Sequence, residues 1–435
     1  MAKGQKLWEK AKKIIPGGGM LLSKRAEMFL PDMWPAYYSK AKGCEVWDLE
    51  KKHYFDMSLM GVGTNILGYC NDEVDNIVKS VISNGNMSTL NCPEEVELCE
   101  LLTDMHSWSD MVRLARTGGE ANSIAIRIAR AASGKDGVAV CGYHGWHDWY
   151  LSVNLSETDG LSEHLLPGLS TSGVPKNLKN TTFSFKYNDY ESLHKIVEDE
   201  SIGVIKMEVC RNELPKNNFL EKVRELATKN NIVLIFDECT SGFRQSYGGL
   251  HKIFNVEPDI AIYGKALGNG YAITAVVGRR EIMEVAQSSF ISSTFWTERI
   301  GPSAAIKTLS IMKENKSWEA ISNKGKLIKK KWSHIFLKYN LPVSISGIDA
   351  LPTFAFISKN SLEYKTFITQ EMLKKGYLAS TSIYLSIAHT DEIINQYLID
   401  FEVVVEKLSL IEERGLKIQD FLDGPVCHSG FQRLN

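Results

Sequence analysis

Asp237 closes the apolar stretch NIVLIFDE (231 to 238), and Lys265 closes DIAIYGK (259 to 265). Each stretch reads as a buried strand of a parallel sheet, and ligand crevices open beyond the carboxyl ends of such strands. A carboxylate there is costly to desolvate unless a cation faces it. The lysine has three chemical readings: phosphate ligand, nucleophile or solvated loop residue. Upstream, in RTGGEANSIAIRIARAASG (116 to 134), Thr117, Gly118 and Gly119 form a tight turn from which Glu120 opens a helix. Apolar residues 121, 124, 125 and 128 share one face of that helix. Amides left free at a glycine-rich helix start, with the helix dipole behind them, bind phosphate. The stretch CGYHGWHDWY (141 to 150) follows another buried strand and carries Tyr143, His144, His147 and Asp148. Tyr143 offers a flat aromatic face at the crevice rim.

Spacing argues against several other chemistries. A P-loop needs GxxxxGK followed by Ser or Thr, but Lys265 is followed by Ala266 and no other stretch fits. A dinucleotide fingerprint needs GxGxxG joining an early strand to a helix, which this chain lacks. His144, His147 and Asp148 have neither a third well-spaced ligand group nor HExxH, so no metal is expected. What remains is a phosphate cradle, an aromatic face, a buried carboxylate and a lysine. Pyridoxal 5′-phosphate asks for this set: a lysine for its aldehyde, an acid to keep its ring nitrogen protonated, and fixed N–H donors for its phosphate.

These residues need a scaffold. From about 70 to 305, helical stretches alternate with short apolar runs and turns, the pattern of βα units around a largely parallel sheet. The clearest strands are GVAVCG (137 to 142), IGVIKMEV (202 to 209), NIVLIFDE, DIAIYGK and AITAVVG (272 to 278). The expected α/β organisation is an N-terminal segment (1 to 69), a large domain (70 to 305) and a small α+β domain (306 to 435). The N-terminal segment carries a short basic helix and a hairpin at KGCEVWDLEKKHYFDM (42 to 57). With 44% hydrophobic residues, 23% charged and a formal net charge of −2 over 435 residues, the composition argues against nucleic acid as a partner. No stretch is apolar over the width of a bilayer, and the N-terminus lacks the apolar core of a signal peptide. Eight cysteines without CxxC pairs fit reduced thiols and a cytoplasmic location.

IFDECTSGFR (235 to 244) followed by DIAIYGKALGNGYAITAVVGRREIM (259 to 283) resembles the class III, fold-type-I pyridoxal-phosphate aminotransferases, and within them the glutamate-1-semialdehyde 2,1-aminomutase branch. The likeness runs from IPGG (15 to 18) through TGGEA, GYHGWHD and GVP (173 to 175) to SIAHT (386 to 390). It implies a large domain with a mostly parallel, seven-stranded-type sheet between helices, and a smaller α+β domain. It also implies Lys265 as the Schiff-base lysine, Asp237 as partner of the ring nitrogen, Tyr143 stacked on the ring, and the backbone of Gly118 and Gly119 around the phosphate. Thr294, in SSTFWTE (292 to 298), resembles the threonine that reaches the neighbouring subunit's phosphate, so a homodimer with shared active sites is implied. The segment from about 150 to 175 corresponds to the branch's mobile gate.

The substrate half departs from the branch. Gly119 stands where SGTEA has threonine, and the branch's glutamate near the cofactor falls on Thr381. Glu208 opens EVCRNE (208 to 213), which puts Arg211, Asn212 and Glu213 where the branch is more apolar. The arginine expected to bind a substrate carboxylate falls on Lys24, or on Arg25 with a one-residue shift. Lys24, Arg25, His144, Glu208, Arg211, Asn212 and Thr381 are thus the expected substrate residues. The expected function is amino transfer from a small-molecule donor such as glutamate to a keto or aldehyde acceptor, for example a sugar-like intermediate of surface-glycan biosynthesis. The alternative is the intramolecular aminomutase reaction of the tetrapyrrole route. A nucleotide-binding oxidoreductase and a catalytically silent scaffold stand as readings from other classes.

Overall fold

A computed structural model describes residues 2–156, 160–162, 168–210, 212–430 and 434. The chain divides into two compact units, one of Met1–Asn71 with Ala320–Asn435 and one of Asp72–Glu319.

In the first unit the helix Lys3–Ile14 buries Trp8 and Ala11 in a cluster with Phe29, Leu30 and Trp34. Strands β1 (Tyr38–Lys42), β2 (Glu45–Asp48) and β3 (His53–Met57) follow as an antiparallel meander, so the expected hairpin gains a third strand.

The second unit is built on seven strands: β4 (Met111–Ala115), β5 (Gly137–Cys141), β6 (Thr182–Ser184), β7 (Ile202–Glu208), β8 (Val233–Asp237), β9 (Ile260–Tyr263) and β10 (Thr274–Gly278). Their order is β4-β10-β9-β8-β7-β5-β6. β10 runs antiparallel to both neighbours, and the rest pair in parallel. The helix Gly118–Ser133 covers one face, packing Ala121, Ile124, Ala125 and Ile128 onto a row that includes Val140, Val204, Ile235 and Ile262. Each such side chain, fully buried, contributes about 1.5–3 kcal/mol, and this row fixes the helix start above the strand ends. The helix Ile300–Asn315 packs on the helices Asp72–Asn84 and Pro93–Met105, so this unit runs on to Glu319, past position 305 expected from composition.

The first unit then resumes. β11 (Val343–Ser346) pairs antiparallel with β12 (Thr353–Phe356), and β13 (Tyr377–Ala379) adds to β3 in parallel, completing a four-stranded sheet.

Candidate active site

Side chains alternate faces along a strand, so Lys206, Glu208 and Asp237 share the sheet face that carries Val204 and Ile235 beneath the helix Gly118–Ser133. Asp237, the last residue of β8, is 3% exposed. Its Oδ2 accepts from His144 Nδ1 at 2.9 Å and lies 3.6 Å from Lys206 Nζ, and its Oδ1 accepts from the Cys239 amide at 3.1 Å. Burial alone would raise the carboxyl's pKa, but the Lys206 ammonium, His144 and the Cys239 amide outweigh it and hold Asp237 well below an ordinary aspartate. His144, 1% exposed, sits with its Nε2 3.1 Å from the Cys141 carbonyl. Burial, then the Lys206 charge, lowers its pKa.

β9 stops at Tyr263, and Lys265 opens the 3-10 turn Lys265–Gly268. Lys265 Nζ donates to Thr240 Oγ1 at 2.6 Å. Its φ of 33° lies in the left-handed region, which costs a lysine on the order of 1 kcal/mol. The close fit of Gly264 helps hold this geometry: a Cβ there would stand 3.0 Å from Thr274 Cγ2 and 3.3 Å from Cys239 Sγ.

The helix that begins at Gly118 opens on a capping box: Thr117 Oγ1 accepts from the Glu120 amide at 3.3 Å, and Glu120 Oε2 accepts from the Thr117 amide at 2.9 Å. The amides of Gly118 and Gly119 lie outside that exchange, at the positive end of a 16-residue helix. A Cβ on Gly118 would stand 3.6 Å from Cys239 Sγ. After β5, Gly142 takes a φ of 110° and turns the chain so that the Tyr143 amide donates to Glu208 Oε2 at 3.0 Å. Tyr150 donates its hydroxyl to the Gly142 carbonyl at 2.6 Å and meets Tyr143 edge-on.

Gly118, Gly119, Tyr143, His144, Glu208, Asp237 and Lys265 therefore belong to one unit and, apart from the helix start itself, are linked through its strand ends. His144 and Glu208, expected to face substrate, are both buried, His144 bonded to Asp237 and Glu208 to the Tyr143 amide. Thr294 lies exposed in the turn Thr294–Thr297, and Asn212 is exposed after β7. Arg211 lies outside the described residues, as do 157–159 and 163–167 of the expected gate. Lys24, Arg25 and Thr381 belong to the other unit: Lys24 is exposed, Arg25 packs over Gly17, and the Thr381 carbonyl accepts from Phe354. Among the described residues no three His, Cys, Asp or Glu side chains are placed to hold a metal, and no helix is long and apolar enough to cross a membrane. Sequence reasoning missed Lys206, Cys239 and Thr240. The lysine inside IGVIKMEV was the available signal for the first.

The model of the aminotransferase class-III family matches residues 31–390. The chain belongs to this family. Among relatives of this class-III aminotransferase, 3-aminobutyryl-CoA aminotransferase of Cloacimonas acidaminovorans is 34% identical, the match covering 90% of this chain and 94% of that one. Glutamate-1-semialdehyde 2,1-aminomutase of Nitrosopumilus maritimus is 32% identical over 93% of this chain and 99% of its own. The fold matches the FumI protein of Sphingopyxis sp. MTA144, solved in its PLP internal aldimine form, with a TM-score of 0.85 at 23% identity over 96% and 99% of the two chains. It likewise matches an omega-transaminase from Sphaerobacter thermophilus, with a TM-score of 0.83 at 19% identity over 93% and 97%. The fold-type-I architecture follows, and the cofactor is pyridoxal 5′-phosphate. The aminotransferase has residues that fit this cofactor: two helix-start amides for a phosphate, a buried ionised carboxylate for a ring nitrogen, and a lysine bonded to Thr240, three residues beyond that carboxylate.

Proposed function

We propose that this aminotransferase carries an amino group from an external donor to a keto or aldehyde acceptor, on pyridoxal phosphate held between Asp237 and Lys265. The observation that carries this reading is that Asp237 ends β8, Lys265 lies just past the end of the adjacent parallel strand β9, and each bonds into the segment Cys239–Thr240. Bound there, the cofactor supplies an aldehyde for covalent attachment and a ring that draws electrons from the substrate. Lys265 Nζ is the attaching amine, with Thr240 Oγ1 as its resting partner. When free, the same Nζ would take a proton from the substrate's amino-bearing carbon and later return one. Asp237 favours a proton on the ring nitrogen, Tyr143 covers the ring, and the Gly118 and Gly119 amides receive the phosphate.

The protein works as a homodimer in this reading, with Thr294 entering the neighbouring copy's phosphate site. The exposure of Phe290 (87%) and Phe295 (70%) on either side of Thr294 supports an interface there. Eight free cysteines support a cytoplasmic setting.

Thr381, in place of the branch's glutamate, supports an external donor, and so does the relative named for 3-aminobutyryl-CoA. The acceptor is a small keto or aldehyde compound, with a sugar-like intermediate as one class and a short-chain thioester carrying a separate keto group as another. The relatives named glutamate-1-semialdehyde 2,1-aminomutase favour the internal rearrangement as a second reading. Purified enzyme given glutamate 1-semialdehyde and no donor decides between them: efficient conversion overturns the transaminase reading, and a donor-dependent spectral change with turnover supports it.

A further inference from the structure

Lys206 occupies a position that the sheet elsewhere gives to aliphatic side chains. In register it sits beside Val140 of β5 and Ile235 of β8, both part of the row packed beneath the helix Gly118–Ser133. The residue is 0% exposed, and among the described residues its Nζ has no hydrogen-bond partner. The anion in front of it is Asp237, at 3.6 Å. An ammonium buried without a counter-charge costs several kcal/mol, so this lysine depends on that carboxylate. Asp237 depends on the lysine in turn: the Lys206 charge is the first of the influences that favour its ionised form, ahead of the hydrogen bonds from His144 and the Cys239 amide.

Among the other ionisable groups around the pair, Glu208 shares the sheet face and its charge also favours the ammonium of Lys206. Glu208 accepts from the Tyr143 amide, and Lys265 is bonded to Thr240. The Cys239 thiol is pushed up by burial and by Asp237, so it stays neutral, and burial likewise favours neutral His144. Burial pulls the Lys206 pKa down and the Asp237 charge pushes it back up, so the ammonium of Lys206 is held by Asp237 before any cofactor arrives.

We propose that Lys206 is a positioning residue that acts through Asp237 to weaken the site's hold on the ring-nitrogen proton of pyridoxal phosphate. This rests on the cofactor site proposed above. Two cations share one carboxylate, and the ring-nitrogen proton is accepted against the field of the first. The ring therefore loses its proton at a lower pH than Asp237 alone would allow.

The test uses apoprotein reconstituted with cofactor isotope-labelled at the ring nitrogen, whose NMR shift is followed against pH in wild type, Lys206→Met and Lys206→Gln. Met keeps the volume of the lysine stem and removes the charge, so a purely space-filling lysine would leave the titration unmoved. The expected result is a ring proton held about tenfold more tightly in the variants, a midpoint about one pH unit higher. An unchanged midpoint in either folded variant overturns the proposal. The wild-type titration also stands alone: a ring nitrogen protonated throughout from about pH 6 to about pH 10 overturns it even if no variant folds. Failure of wild-type apoprotein to retain any labelled cofactor is a distinct result, which removes the site reading and this inference with it.

Discussion

Asp237 and Lys206 make each other tolerable in a place where either alone would be costly. Asp237→Ala leaves a buried, unpaired ammonium, and the expected loss is about 3–5 kcal/mol of apoprotein stability in denaturant titrations. Adding Lys206→Met to that variant should restore much of the loss; strictly additive effects would mean that the two charges do not meet. Lys265 carries a different kind of burden, with its left-handed backbone and its bond to Thr240. Lys265→Ala should lower turnover by about 10²–10⁴-fold or more and abolish covalent trapping of the cofactor by borohydride. Undiminished turnover in that variant would place the attachment elsewhere. The places of Lys265, Asp237, Tyr143 and the Gly118–Gly119 pair in the fold were readable in the sequence because each is marked by its immediate neighbours: a strand end, a turn or a helix start. Lys206 was not. Its meaning lies across the sheet in Asp237, and a single strand's sequence says nothing about what its neighbour places opposite.

At the scale of elements, the helix Gly118–Ser133 joins the core to the proposed phosphate cradle, and the Thr117–Glu120 capping box holds its first turn. Thr117→Ala should cost about 1 kcal/mol of stability. It should also weaken retention of pyridoxal phosphate more than of pyridoxal, measured as the ratio of the two dissociation constants. The opposite face of the sheet holds a second buried polar group. His106 lies within hydrogen-bonding distance of the Leu102 carbonyl through Nδ1 and of the Tyr263 hydroxyl through Nε2, each at 2.8 Å. Proton on Nδ1 and lone pair on Nε2 satisfy both, which is the neutral form. Burial pulls its pKa down to about 4. A histidine held below its unfolded pKa of about 6.5 adds stability that is fully present above that pH and is lost as the pH falls toward 4, about 3 kcal/mol in all. His106→Gln should flatten the acid limb of the stability profile, and an unchanged slope would show that the histidine is not held neutral. Five strands of the sheet were readable as apolar runs. β6 was not, because three residues carry no period, and β4 was not, because Arg113 interrupts it and its side chains are only partly buried before Ala115.

For the whole molecule, the prediction concerns copy number. In the dimer proposed above, Phe295→Glu should shift sedimentation toward the monomer, with activity falling alongside if Thr294 acts across the interface. A monomeric variant with full activity would separate Thr294 from the phosphate. The division into units was only partly visible in the sequence: the change of texture near 305 falls inside the helix Ile300–Asn315, whose membership is decided by the helices it packs on. The antiparallel strand β10 carries a further consequence. It sits between β4 and β9, and β4 stands at the sheet edge beside it. On the ribosome, residues 111–115 emerge long before residues 274–278, and until β10 arrives the turn at Gly118 and Gly119 has no settled strand behind it. Cofactor capture is therefore a late event in the life of the nascent chain. A chain stalled before Thr274 should emerge apo and sticky at one edge, and the released chain should pick up its cofactor as the last strand of the seven-stranded sheet slides home.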